Sequence, residues 1–370
     1  MVEGLRVWMR LGIVTASLAA AVAGCDSGSG GSGSGDASSD GSTSAGGSTG
    51  GASTDPGSTS AATTAATTSG SAETSGAADE STGGGADLGQ KFELRVDNFE
   101  VPVTETSYNC FDFTFSLDQL GHITAFEAVI DNAAYVHHYV VTLTANPSGS
   151  PDGYSCFDLE GDMIWAWAPG QSRFELPEEA GFLIGDTPGG NLTLRLQVHY
   201  NNPLEVTGEV DNSGFDFWVT DELRPNNAGT LVFGDIEGIQ IPPGEEAYEH
   251  VMTCRSEVTE QMFPQPLNVF GASMHAHDIG SVLYTEVWRD GEMVFELNRD
   301  DPFDFENQNF KWFEQQLLPG DEIVNHCIYN SMDRDETTFG GPGTSDEMCW
   351  DTVVYYPKIP SGFDYCTSFD

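Results

Sequence analysis

Three short stretches gather five of the eight histidines: His137 and His138 in "AYVHHYVVTL", His199 in "LQVHYNNP", and His275 with His277 in "SMHAHDIG". Imidazole is the commonest metal ligand in proteins and binds in its neutral form. His275 and His277 stand two apart, so on an extended chain they point the same way and can chelate one ion. His137 and His138 are adjacent, and neighbours on a regular strand point to opposite faces. A flat strand cannot bring both to one ion; a bulge or strong local twist, with ligation through the nearer Nδ1, could. Met348, in "SDEMCWD", is a core-packing residue by default, but its thioether is also a soft donor suited to Cu(I). An imidazole pair plus a thioether makes a copper site with open positions, whereas three imidazoles alone could equally hold zinc. Five imidazoles in separated segments suggest two sites. His122, His250 and His326 stand singly and read as structural or surface residues.

The segments that must position these groups read as strands. "AYVHHYVVTL" is rich in aromatic and β-branched residues, and "NLTLRLQVHY" alternates cleanly. "LYTEVWRDGEMVFELNR" reads as a hairpin with Asp290 and Gly291 in the turn. A helical period of useful length is absent. The sequence therefore predicts an all-β protein of two antiparallel β-sandwich (jelly-roll-like) domains, residues 88–225 and 226–370, divided at the polar break "LRPNNAG".

Residues 1–25 have the pattern of a signal peptide: Arg6 and Arg10, an apolar run from Leu11 to Ala23, then "VAGC" ending at Cys25. The run is short for a transmembrane helix. "VAGC" resembles a bacterial lipobox, which implies lipidation at Cys25; an ordinary cleavage site with an incidental cysteine is the alternative. Residues 26–87 are Gly, Ser, Thr and Ala with scattered acids. They bury too little to offset their ordering entropy, so a disordered tether is expected, spanning roughly 40–50 Å as a coil. The expected product is exported and lipid-anchored to a bacterial membrane, facing the periplasm or the cell exterior. With 13 Lys+Arg against 58 Asp+Glu, the formal net charge is −45. Such a field repels polyanions, so nucleic acid is not an expected partner. Besides Cys25 there are Cys110, Cys156, Cys254, Cys327, Cys349 and Cys366. An even number in an exported chain suggests three disulfides, with free thiols as soft metal ligands the competing reading.

Taken in order, "VHH", "IWAWAPG", "LQVHYNNP", "VDNSGFDF", "IPPGE", "MHAH", "LPGDEI", "DEMC" and "VYYP" resemble the copper type II, ascorbate-dependent monooxygenases. That family includes dopamine β-hydroxylase and peptidylglycine α-hydroxylating monooxygenase, and the likeness runs nearly end to end from Leu88 to Asp370. It implies two sandwiches with one copper each. His137, His138 and His199 would form the electron-transfer site, and His275, His277 and Met348 the catalytic site where oxygen binds and substrate is hydroxylated. It also implies the pairings Cys110–Cys156, Cys254–Cys366 and Cys327–Cys349, the last clamping the loop that presents Met348. The implied activity is hydroxylation of a C–H bond of a small molecule with O2. Electrons would come from ascorbate or another one-electron reductant, the second of them by way of a distant copper.

The sequence also departs from that family. Its peptide-hydroxylating members hold a substrate carboxylate with an Arg two residues before the H-x-H and a Tyr four residues after the ligand Met; here these positions are Ser273 and Thr352. A serine cannot make a bidentate carboxylate clamp. Peptidylglycine is therefore not the expected substrate, and one of low polarity is. Trp350, beside the metal loop, either lines an apolar pocket or simply packs. Two other functions stand beside hydroxylation. One is a tethered copper carrier without turnover. The other is a zinc hydrolase at the three-histidine site, for which no nucleophile motif or nearby general base is evident.

Overall fold

A computed structural model describes residues 87–116, 119–144, 150–157, 161–185, 191–360 and 365–367. The signal segment, Cys25 and the expected tether lie outside the described residues, apart from Asp87. Within them the chain is all-β, strand following strand, with one short α-helix, Ser256–Met262. Seven residues are too few to print a helical period on the sequence, which is why none was evident there. Pairing between the described strands is antiparallel except where Asn226–Asn227 meets Ala180–Gly181 and where Gly229–Asp235 meets Tyr365–Cys366; an isolated bridge, Gly340 with Glu347, is also parallel.

In the first half a five-stranded sheet runs in the order Tyr154–Ser155, Thr106–Ser116, Asn191–Asn201, Val136–Thr144, Asp162–Trp167. It packs on a second sheet built from Gln90–Arg95, Gly214–Thr220, Gly121–Val129 and Ala180–Ile184. Phe126, Phe215, Phe217, Tyr139, Val141 and Trp165 fill the space between them. In the second half a five-stranded sheet runs Lys311–Leu317, Leu267–His275, Cys349–Tyr356, Gly229–Asp235, Tyr365–Cys366. It packs on the sheet Tyr248–Cys254, Glu322–Tyr329, Gly280–Arg289, Glu292–Asp300, around Leu231, Phe233, Val269, Leu317, Ile323 and Val353. Each such apolar side chain contributes about 1.5–3 kcal/mol when fully buried, which holds the layers together. The last two strands form the hairpin read from the sequence. Asp290 and Gly291 take φ 54° and 80°, and that left-handed pair matches the twist of the flanking strands.

Strand alternation decides what the other faces of the five-stranded sheets present. Tyr139, Val141, Trp165 and Trp167 point into the first core, so their neighbours His138, Val140 and Ala166 point outward. Ala272 and Val353 are core, so Ser273, His275, Trp350 and Thr352 point outward from the second half. These outer faces meet. Gln171 Nε2 donates to Gln308 O at 2.7 Å, and Thr230 Oγ1 donates to Met163 O at 2.5 Å. Phe174 packs on Phe310 and Trp312, and Lys358 pairs with Asp162.

Candidate metal centre

His138 and His199 face each other across an antiparallel ladder; the register then shifts, so that Tyr200 faces Val136 and His137 is left as an extra residue. That bulge breaks the alternation that would have separated the adjacent pair. The Nδ1 atoms of His137 and His138 are 3.1 Å apart, and Nδ1 of His199 is 3.3 Å from that of His138. One ligand nitrogen from each ring lies within 4.8 Å of the other two. Tyr108, the register partner of His199, stacks on its imidazole with centroids 4.6 Å apart. Its hydroxyl donates to Pro342 O in the second half at 2.9 Å.

His275 closes its strand opposite Trp350, and His277 follows two residues on. The rings of His275 and His277 have centroids 5.2 Å apart. Nδ1 of His275 lies 2.6 Å from Gln308 Oε1, and Nδ1 of His277 lies 3.0 Å from Asp346 O. Both partners only accept, so each ring carries its proton on Nδ1 and keeps the Nε2 lone pair for a ligand. Met348 is buried just before the strand Cys349–Tyr356. The Met348 N–H reaches the same Glu347 oxygen as the N–H of His277. The loop is fixed three ways. Cys349 is bonded to Cys327, Tyr329 Oη donates to Met348 O at 2.7 Å, and Glu347 gathers the backbone. Its carboxylate accepts from the N–H groups of His277 at 2.8 Å, Ile279 at 2.9 Å and Met348 at 3.3 Å. The other cysteines among the described residues are bonded Cys110–Cys156 and Cys254–Cys366.

The two histidine sets are direct neighbours. The His138 and His275 centroids lie 5.5 Å apart, and Phe305 packs 4.4 Å from His137 and 6.3 Å from His277. The family resemblance implies a distant partner copper. The sites instead adjoin because the outer faces of the two five-stranded sheets pack on each other, and each set lies on such a face.

Burial lowers the pKa of every one of these histidines: to about 4 at His137, about 3 at His275 and about 2 at His199, with His138 and His277 shifted the same way. Mutual repulsion of the rings adds to desolvation at His137, His138, His199 and His275. All five are therefore neutral at pH 7, the form that binds a metal. Nε2 of His137, His199 and His277 is buried with no hydrogen-bond partner. Unpartnered buried nitrogens are costly, and three neutral rings with converging Nδ1 atoms cannot all satisfy one another. A cation among the three Nδ1 atoms relieves that conflict, and one at Nε2 of His277 gives that nitrogen its partner; the imidazole and thioether donors suit copper.

The solitary histidines are held by ordinary contacts. His122 bonds Asn227 and the Arg224 N–H, His250 bonds Asp235, and His326 stacks on Tyr284 beside Glu249. Gln308, Glu347 and Tyr108 were not singled out from the sequence. Glu347 stood inside "DEMC", but Gln308 lies 33 residues from the ring it orients, in a loop without a pattern.

The chain matches the N-terminal domain of the copper type II ascorbate-dependent monooxygenases over residues 92–207 and the C-terminal domain over residues 226–369. It is 34% identical over 285 residues to tyramine beta-hydroxylase of Caenorhabditis briggsae, covering 72% of this chain and 48% of that one. It is 32% identical over 290 residues to DBH-like monooxygenase protein 1 of Homo sapiens, covering 72% and 47%. It is also 32% identical over 290 residues to dopamine beta-hydroxylase of Rattus norvegicus, covering 73% and 46%. The chain spans about half the length of the curated relatives it matches. Two matched domains in the family's order, over most of the described residues, place this chain in the copper type II ascorbate-dependent monooxygenase family.

Proposed function

We propose that this protein is a copper-dependent monooxygenase that hydroxylates a C–H bond of a small molecule with O2 and ascorbate or another one-electron reductant. The observation that carries this is the pair of adjoining sets of buried, neutral imidazoles with unpartnered nitrogens. In balance, R–H, O2, two electrons and two protons give R–OH and water. Copper, when bound, supplies the one-electron transfer and the activation of O2 that no side chain here can supply. His137, His138 and His199 would hold one ion; His275, His277 and Met348 would hold the other. Gln308 Oε1 and the Asp346 backbone carbonyl aim the second pair of rings by accepting hydrogen bonds from their Nδ1–H groups. Glu347 fixes the turn from His277 to Ile279 against Met348. A thioether is a weak neutral donor and favours the reduced ion that reacts with O2.

The boundaries 88–225 and 226–370 belong to the same proposal, as do export and lipid attachment at Cys25 behind a tether of residues 26–87. Three disulfides suit an oxidising compartment. Among the described residues no helix is long and apolar enough to cross a membrane. The activity is tested on copper-loaded protein by ascorbate-dependent O2 uptake with mass-spectrometric search for a product heavier by one oxygen. Product formation supports the enzyme; full copper loading with no product across a broad substrate panel favours the carrier.

A further inference from the structure

Between the facing sheets, beside His275, lies a cavity of about 90 Å³. Its apolar walls come from Val140 and Ala166 on one side and from Phe310, Trp350 and Val354 on the other. The Trp350 indole packs over its register partner Gly234. A Cβ there would come within 2.5 Å of Trp350 Cδ1 and 2.2 Å of Cys349 O. In a chain with 58 Asp+Glu, not one Asp, Glu, Lys or Arg among the described residues lines this space.

The polar groups at the wall are few, and most are engaged, although Nε1 of the lining Trp165 is buried without a partner. Thr230 donates to Met163 O, Gln171 donates to Gln308 O, and Gln308 is committed to His275 and to Phe305 O. Ser273 and Thr352 differ. They are register partners on the strands carrying His275 and Trp350, both line the cavity, and among the described residues neither hydroxyl has a partner. They form an adjacent pair of neutral donor–acceptor groups next to a metal-ligand ring.

We propose that this cavity takes an uncharged, mainly apolar molecule, at most one ring in width, whose single neutral polar group (a hydroxyl or carbonyl) bonds to Ser273 and Thr352. The proposal rests on the monooxygenase reading and names its substrate class. An ammonium here would find no carboxylate and a carboxylate no guanidinium, and an unpaired buried charge is strongly disfavoured. A neutral oxygen would satisfy both hydroxyls, while an apolar body covers Trp350 and Val140. An apolar cavity of ~150 Å³ takes up benzene; at about 90 Å³ this one must widen to admit a single ring and has no room for a second.

The test uses the full chain freed of metal, so that binding is read apart from turnover. Calorimetric titrations with 2-phenylethanol, phenethylammonium, phenylacetate and ethylbenzene compare a neutral, a cationic, an anionic and a purely apolar probe of similar shape. The alcohol is expected to bind at least about tenfold more tightly than either ion. In the Ser273→Ala/Thr352→Val double variant it is expected to lose about 3- to 10-fold, with ethylbenzene unchanged as the control for an intact cavity. An ion that binds as well as the alcohol, equal losses for alcohol and ethylbenzene, or no binding by any probe would overturn the proposal. Copper uptake by the same protein after the metal is returned separates the two failures. Normal copper with no neutral preference sinks the substrate class alone, whereas a neutral preference without copper sinks the monooxygenase reading alone.

Discussion

His138 and His275 come from different sandwiches, yet their rings stand with centroids 5.5 Å apart and planes at 76°. Each lies on the outer face of a five-stranded sheet, and the packing of those faces brings the two ligand sets together. Two paramagnetic ions in adjoining sites interact through space. With Cu(II) in both sets, the electron paramagnetic resonance spectrum is expected to be broadened or diminished against the sum of spectra from His199→Ala and His275→Ala, each holding one ion. A wild-type spectrum equal to that sum would show the sets apart in solution.

Gln308 Oε1 accepts a hydrogen bond from Nδ1–H of His275. Gln308→Ala frees the ring to rotate and to change tautomer, and copper affinity at the second set is expected to fall about 10- to 100-fold. Gln308→Glu keeps an acceptor and is expected to recover most of it. Competition titrations against a chelator of known affinity read both values, and an unchanged affinity in the alanine variant would contradict the assigned role.

Acid should destabilise the metal-free protein through His137. Unfolded, its imidazole takes a proton near pH 6.5; folded, burial delays that to about pH 4. Between these values the unfolded chain binds more protons, so stability present above about pH 6.5 is lost as pH falls, on the order of 3 kcal/mol at the acid limit. Burial pushes Glu347 up to about 8 and Asp351 up to about 6. Those carboxyls act in the opposite sense, favouring the fold as they gain protons. The histidine effect is therefore read as a difference: denaturant midpoints from pH 7 to pH 4 should fall less steeply in His137→Asn than in the wild type. Parallel profiles would contradict it.

The strands and their faces were legible where alternation and turn residues speak directly. Asp290 with Gly291 marks a hairpin because few residues accept φ above zero. The adjacent histidines demanded an irregular strand, and the ladder slips at that point. What covers an outer face was not legible. Thr193, Arg195, Gln197 and His199 alternate as a solvent-facing edge would, yet all are buried, and Arg195 pairs with Asp112 at 2.7 Å. Polar residues satisfied by one another look the same in sequence as polar residues in water. The closeness of the ligand sets stayed hidden for the same reason. Gln308 and Glu347 act through groups placed by tertiary packing, which no local spacing records.

The most direct measurement is copper content per chain by elemental analysis, with zinc counted alongside, in the wild type, His199→Ala and His275→Ala. The wild type is expected to hold about two copper ions, and each variant about one, with the spectrum of the surviving ion differing between the variants. A single copper in the wild type, zinc in its place, or copper content untouched by either substitution would contradict a two-copper enzyme.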